Sequence, residues 1–124
     1  MMSEKTILIV EDSEFNRRLL EAVLAPHHYR LLVAEDGESG VDLAQVEQPD
    51  LILMDVLLPG IDGYEATRHL RSDPTTCGLV IVALTASSSS EEQELALASG
   101  CDGYIPKPID TRAFPEQIRH FLPD

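Results

Sequence analysis

Basic residues and cysteines are scarce in this chain of 124 residues. Nine Lys plus Arg stand against 22 Asp plus Glu, a formal net charge of −13. A field of that sign repels phosphate backbones and anionic lipid, which argues against direct nucleic-acid binding and against a membrane-surface protein. The only cysteines are Cys77 and Cys101, and they form no CxxC pair. The expectation is two reduced thiols packed as small hydrophobes, rather than a disulfide or a metal pair. Long apolar runs are missing too. The run Leu79 to Leu84 falls far short of the roughly 20 residues that span a bilayer. At the N-terminus, Met1 to Lys5 is followed by only Ile7 to Val10 before Glu11 and Asp12, too short for the apolar core of a secretory signal. These absences point to a cytoplasmic protein. No linker and no internal repeat divides the chain, so residues 1–124 read as one domain. The hydrophobic share of 44% and the recurrent apolar runs exclude disorder.

What is present is an alternation of two patterns. Thr6 to Val10, Leu51 to Met54 and Leu79 to Leu84 are apolar without polar alternation, as strands buried on both faces are. Tyr29 to Ala34 and Gly103 to Ile105 are weaker strand candidates. Helical patterns lie between them. In the first, Phe15, Leu19 and Val23 share a stripe with Leu20 and Leu24 beside it, Ser13 caps it and Pro26 ends it. Gly37 to Glu47 and Gly63 to Ser72 follow. The fourth helix, Glu91 to Ser99, is predicted to open with a capping box, Ser90 to Gln93, and to stop at Gly100. The last spans Thr111 to Leu122, with regular helix from near Arg112 because Pro115 fits only a first turn. Five strand-helix units in succession imply an α/β fold, a parallel sheet with helices on both faces.

In such sheets ligands bind at the carboxyl ends of the strands. The first strand ends in Glu11-Asp12, the third in Asp55 and the fourth in Thr85, and the fifth leads into Lys107-Pro108. If the first and third strands are neighbours, three carboxylates converge. Like charges so close are unfavourable unless a cation joins them. Hard oxygen ligands in a partly exposed site suit Mg²⁺. Lys107 offsets one of the three charges and one Mg²⁺ neutralises the rest. A carboxylate beside a metal, a Lys and a hydroxyl is arranged for phosphoryl transfer, with Asp55 as nucleophile. Taken singly, each residue has a plainer explanation: a helix cap for the acidic pair, strand-end packing for Thr85, a solvated loop lysine for Lys107. Their common location at one sheet edge is what favours chemistry. His27-His28 has no ligand spacing and reads as solvated surface. His69 lies mid-helix with no kinase domain around it, which argues against a phosphohistidine. An FMN site would need a phosphate-cradling loop where Glu11-Asp12 stands. A haloacid-dehalogenase phosphatase would need a second Asp at the position of Leu57. No GxxxxGKS loop is present.

The segments Ile7 to Ser13 (ILIVEDS), Asp50 to Glu65 (DLILMDVLLPGIDGYE), Val80 to Ala86 (VIVALTA) and Gly100 to Asp110 (GCDGYIPKPID) together resemble the response-regulator receiver domains of two-component signalling, over essentially the whole length. The resemblance implies a flavodoxin-like (βα)5 fold with strand order 2-1-3-4-5 in a single receiver domain, residues 1–124. It implies Asp55 as phosphoacceptor, and Mg²⁺ held by Glu11, Asp12, Asp55 and the Leu57 backbone carbonyl. Thr85 and Lys107 should contact the phosphoryl group, with a cis Lys107-Pro108 bond aiming the lysine. Tyr104 matches the aromatic that swings inward when Thr85 is drawn to the phosphate. Leu57 and Ser87 occupy positions that tune hydrolysis of the acyl phosphate, and the polar run Ser87 to Ser90 is unusual there. The implied partners are a sensor histidine kinase or histidine phosphotransfer protein, and a downstream protein on the face of the fourth helix, fifth strand and fifth helix. If residues 1–124 are a whole stand-alone regulator and not a receiver cut from a larger protein, there is no room for an effector domain after Leu122 and output would run through partner binding. The expected chemistry is self-modification, not multiple-turnover catalysis. The alternative is an interaction domain of the same fold that is no longer phosphorylated.

Overall fold

The computed structural model describes residues 4–86 and 89–123. Five strands, β1 (Thr6–Val10), β2 (Arg30–Ala34), β3 (Leu51–Asp55), β4 (Val80–Thr85) and β5 (Gly103–Pro106), form one sheet. Their order is β2-β1-β3-β4-β5 and every neighbouring pair is parallel, as the sequence leads one to expect. The helices are α1 (Glu14–Leu24), α2 (Gly37–Glu47), α3 (Gly63–Ser72), α4 (Ser90–Ser99) and α5 (Phe114–Phe121). Among the described residues, no helix is long and apolar enough to cross a membrane.

The sheet separates two cores because successive side chains point to opposite faces. Leu8, Val10, Ile52, Met54, Ile81 and Ala83 meet Val41, Ala44, Ala66, Leu70 and Ala96 from α2, α3 and α4. On the other face Ile7, Ile9, Leu51, Leu53, Val82 and Leu84 meet Leu20 and Leu24 of α1 and Phe114 and Ile118 of α5. Burial on both faces explains why the central strands carry no polar alternation.

Four helices start in the same way. Ser13, Asp36, Asp62 and Ser89 each accept the backbone N–H three residues on, satisfying a donor that the helix itself leaves unpaired. The fourth corrects the expected box at Ser90 to Gln93. The cap is Ser89 and the third helical position is Glu92, whose carboxylate accepts from the Tyr64 hydroxyl of α3. Several consecutive serines can all cap, and this tertiary contact accompanies the register one residue earlier. Ser87, expected to tune hydrolysis, lies outside the described residues, as does Ser88. In α1 the buried stripe is Leu20 and Leu24, while Leu19 and Val23 are half-buried and Phe15 is 76% exposed. Leu20 and Leu24 pack in one cluster with Phe114 and Ile118 of α5, and Phe15 lies outside it. Pro26 sits in a further 3-10 turn, Ala25–His27, ended by His28 in the left-handed region. Helix α5 begins at Phe114, later than Arg112, because Asp110 accepts the N–H groups of Arg112 and Ala113 and holds a turn there. Both cysteines are free. Cys101 is buried beside the Thr67 and Ser99 hydroxyls, but Cys77 is exposed on the turn after α3 and is not packed as expected.

Gly63 presses the first turn of α3 against the end of β3. A Cβ there would lie 2.2 Å from the Asp55 carbonyl oxygen and 2.8 Å from the Val56 Cα. Both neighbours are backbone and cannot rotate aside. Gly63→Ala is therefore expected to lower the unfolding free energy in urea by about 1–3 kcal/mol. Gly78→Ala, with nothing within 4 Å of the new methyl group, should be neutral or slightly stabilising, by at most about 1 kcal/mol. Equal losses in the two variants would refute the close contact at Gly63.

Candidate functional site

The chain leaves β1 toward β2 on one side and later returns to β3 on the other. The crevice between the carboxyl ends of β1 and β3 is therefore the topological switch point. Glu11 follows β1, and its N–H donates to the Ala34 carbonyl at 3.0 Å, extending the sheet by one bond. Asp55 ends β3. One carboxylate oxygen each from Glu11, Asp12 and Asp55 lie within 4.8 Å of one another. Glu11 and Asp55 are buried, at 1% and 2% exposure, and Asp12 is exposed. This is the only such acidic, histidine or cysteine group among the described residues.

Lys107 reaches the cluster from beyond β5. Its N–H donates to the Thr85 carbonyl at 2.6 Å, the next peptide bond, Lys107-Pro108, is cis as expected, and Nζ lies 3.0 Å from Asp55 Oδ1 and 3.4 Å from Glu11 Oε1. Burial alone would lower the Lys107 ammonium, but its hydrogen bond to Asp55 and the two carboxylate charges outweigh that and raise it. Burial also raises the Glu11 carboxyl to about 7, helped by the hydrogen bond and charge of Asp55 and opposed by the Ser13 N–H and the Lys107 charge. A metal-free cluster thus retains a proton near neutrality. The donor set, three carboxylates with only one ammonium against them, fits a hard divalent cation with room for waters.

The surroundings hold these groups in place. The Leu57 N–H donates to Asp55 Oδ1 at 3.2 Å, and Leu57 itself is 66% exposed at the rim. Arg17 of α1 donates to the carbonyls of Glu11 and Asp12 at 3.1 and 3.0 Å and pairs with Glu35 at 3.5 Å, bracing the loop after β1. Neither Arg17 nor the Tyr64–Glu92 bond is visible from sequence, because helical spacing alone assigns both Arg17 and Tyr64 to ordinary helix surface. Thr85 is buried at the end of β4, paired in register with Pro106. The pleat puts Thr85 on the same face as Ala83, and Tyr104, half-buried, packs against that same core. Glu11, Asp12, Asp55 and Lys107 are therefore brought into one cluster, with Thr85 on the adjoining strand end and Tyr104 behind it. His69 and His28 are exposed, and His27 stacks on Tyr29 away from the cluster.

An α/β sheet of this order with an acidic cluster and a lysine at its switch point defines a class of signalling domain, and comparison with known proteins specifies it. Residues 7–119 match the family model of the response regulator receiver domain, and the chain belongs to that family, the receivers of two-component signalling. It is 36% identical over 120 residues to the polar-differentiation response regulator DivK of Brucella anthropi, covering 97% of this chain and 98% of that protein. The receiver domain of a Pseudomonas aeruginosa sensor histidine kinase, crystallised with a magnesium ion coordinated in its active-site cleft, superposes with a TM-score of 0.87 at 34% identity, covering 96% of this chain and 98% of that one. The receiver domain of Saccharomyces cerevisiae Ssk1, solved with the histidine phosphotransfer protein Ypd1, gives 0.90 at 31% identity, covering 98% and 91%.

The raised Glu11 carboxyl has a consequence for stability. A folded-state pKa above the ordinary 4.5 means the folded form holds the proton more tightly than the unfolded one. That stabilisation is complete below pH 4.5 and is lost as pH rises to about 7. Metal-free protein should therefore be less stable in urea at pH 8 than at pH 5, and Glu11→Gln should flatten the difference. Mg²⁺ should stabilise more at pH 8 than at pH 5, since protons compete for the same oxygens. A metal-free stability that rises across this window would refute the assignment.

Proposed function

We propose that Asp55 accepts a phosphoryl group from the phosphohistidine of a sensor kinase or phosphotransfer protein, in a Mg²⁺-dependent reaction. The observation that carries this reading is the ammonium of Lys107 at 3.0 Å from Asp55, inside a cluster of three carboxylates. An Asp55 oxygen forms the new bond to phosphorus, the phosphorus–nitrogen bond breaks, and the imidazole leaves. Glu11, Asp12, Asp55 and the Leu57 carbonyl would hold the metal, which when bound supplies positive charge to the phosphoryl oxygens. Lys107 contributes a second positive charge, and the Thr85 hydroxyl a hydrogen bond. The magnesium-bound Pseudomonas neighbour and the Ypd1-bound yeast neighbour support the metal and the type of partner.

The modified aspartate carries about two negative charges in place of one, drawing Thr85 and Lys107 inward. Tyr104, on the same face as Thr85, then follows, and the surface of α4, β5 and α5 changes for a downstream protein. A coupling of about 1–3 kcal/mol suffices to switch its affinity. The domain modifies and restores itself, without turning over a separate substrate, and works in the cytoplasm with its kinase.

Acetyl phosphate with Mg²⁺ should add one hydroxylamine-labile phosphoryl group, read by mass spectrometry. Asp55→Asn should abolish it. Labelling that survives Asp55→Asn, or that needs no divalent cation, would refute the reading.

Millimolar Mg²⁺ should also raise the melting temperature, because a ligand of the folded state alone stabilises it. Asp12→Ala should remove most of that rise. Coincident melting of metal-free and Mg²⁺-loaded wild type would show that the cluster does not bind the ion.

A further inference from the structure

The three carboxylates of the cluster are not held alike. Glu11 accepts the Ser13 N–H at 3.1 Å and Lys107 Nζ at 3.4 Å. Asp55 accepts the Leu57 N–H at 3.2 Å and Lys107 Nζ at 3.0 Å. Asp12 is exposed, and among the described residues no group donates to its carboxylate. Its direction is therefore set through its backbone, and there Arg17 acts on both sides. One guanidinium nitrogen, Nη1, donates to the Glu11 carbonyl at 3.1 Å and to the Asp12 carbonyl at 3.0 Å. Those oxygens belong to the two peptide planes that flank the Asp12 Cα, so a single donor fixes both soft torsions of that residue. Helix chemistry does not favour this arrangement. Arg17 belongs to α1, and its guanidinium reaches back past the N-cap Ser13, toward the positive end of the helix dipole. The side chain is 15% exposed, and the Glu35 carboxylate at 3.5 Å offsets its charge.

We propose that Arg17 is a positioning residue for the metal site. By clamping the two peptides around Asp12 it aims that carboxylate at the cation shared with Glu11 and Asp55, and so sets the affinity for Mg²⁺. The proposal rests on the metal reading of the cluster. Two effects of the guanidinium oppose each other. As a positive charge beside the site it repels a cation. As a clamp it spares the cation the cost of ordering Asp12. Glu35 offsets the charge, which leaves the clamp as the larger effect. Removing the side chain therefore weakens Mg²⁺ binding, whereas a role through charge alone predicts that it tightens.

The test titrates Mg²⁺ into the full chain, followed in ¹H–¹⁵N spectra, for wild type, Arg17→Met and Arg17→Lys. Arg17→Met loses the donors and should raise the Mg²⁺ dissociation constant about tenfold, the low end of the roughly 10–100-fold that groups orienting metal ligands contribute. Arg17→Lys keeps a donor of shorter reach, without the planar fork, and should fall between the two. Labelling by acetyl phosphate separates position from general damage. The Mg²⁺ concentration giving half the maximal rate should rise with the dissociation constant, while the rate at saturating Mg²⁺ stays within about threefold of wild type. A merely structural role would lower metal-free stability in urea and leave the dissociation constant of the folded protein unchanged. Binding that tightens in Arg17→Met, or that is unchanged in both variants, overturns the proposal. If Arg17→Met does not fold, Arg17→Lys decides alone, and a wild-type constant there overturns it. Wild type whose spectrum does not respond to Mg²⁺ overturns the metal reading itself. A wild-type response that Arg17→Met leaves unaltered overturns only the role of Arg17.

Discussion

Two buried carboxylates facing one ammonium constrain the rest of this molecule. Glu11 and Asp55 are nearly inaccessible to water, and Lys107 stands 3.0 to 3.4 Å from both. Removing charges from water is costly, and one lysine cannot compensate three acids. The folded metal-free domain lives with that imbalance by keeping a proton on Glu11 toward neutral pH. A fold can tolerate such a cluster only if the rest of it is well packed. Here the central strands supply that packing, with every residue of β3 buried and two apolar cores closing on the sheet. The instability is also useful. A site that is short of positive charge responds to a cation, and a carboxylate held against a lysine responds to a phosphoryl group.

The same packing gives the site routes to the surface. Gly63 fits the first turn of α3 against the backbone of Asp55 and Val56. Tyr64, the next residue, donates from its hydroxyl to Glu92 in the first turn of α4. Burial and the nearby Glu92 carboxylate both raise the Tyr64 phenol, so it remains a neutral donor in that bond. On the neighbouring strands Thr85 and Tyr104 share one face of the sheet. A rearrangement at Asp55 therefore has two physical connections to α4: one through the turn of α3 and one through the ends of β4 and β5. Interiors packed this densely transmit small displacements, because side chains have few empty places to move into.

The sequence was informative wherever a residue's role depends on local geometry or on strand burial. Unbroken apolar runs identified the parallel sheet. Ser13 caps α1, as a short polar side chain at a strand-to-helix junction does. Glu11, Asp12, Asp55, Thr85 and Lys107 could be collected from the strand ends because a parallel sheet puts all such ends on one edge. Reading failed where neighbours distant in the chain choose among local equals. Four serines in a row offer equivalent caps, and the contact between Tyr64 and Glu92 goes with Ser89. Phe15 has the spacing of a core residue, but the packing of α1 against α5 buries Leu20 and Leu24 instead. Cys77 and Cys101 look alike in sequence, yet only Cys101 falls under a helix.

The sequence by itself thus determined the fold class, the strand order through family resemblance, and the residues that form the acidic cluster. These follow from periodicity and from motifs whose chemistry is local. Only the tertiary structure decided how far apart the charges stand, which of them lose water, and what borders them. The raised Glu11 carboxyl and the brace from Arg17 both depend on elements far apart in the chain. Distance and desolvation are properties of packing, and a linear pattern of residue types carries neither.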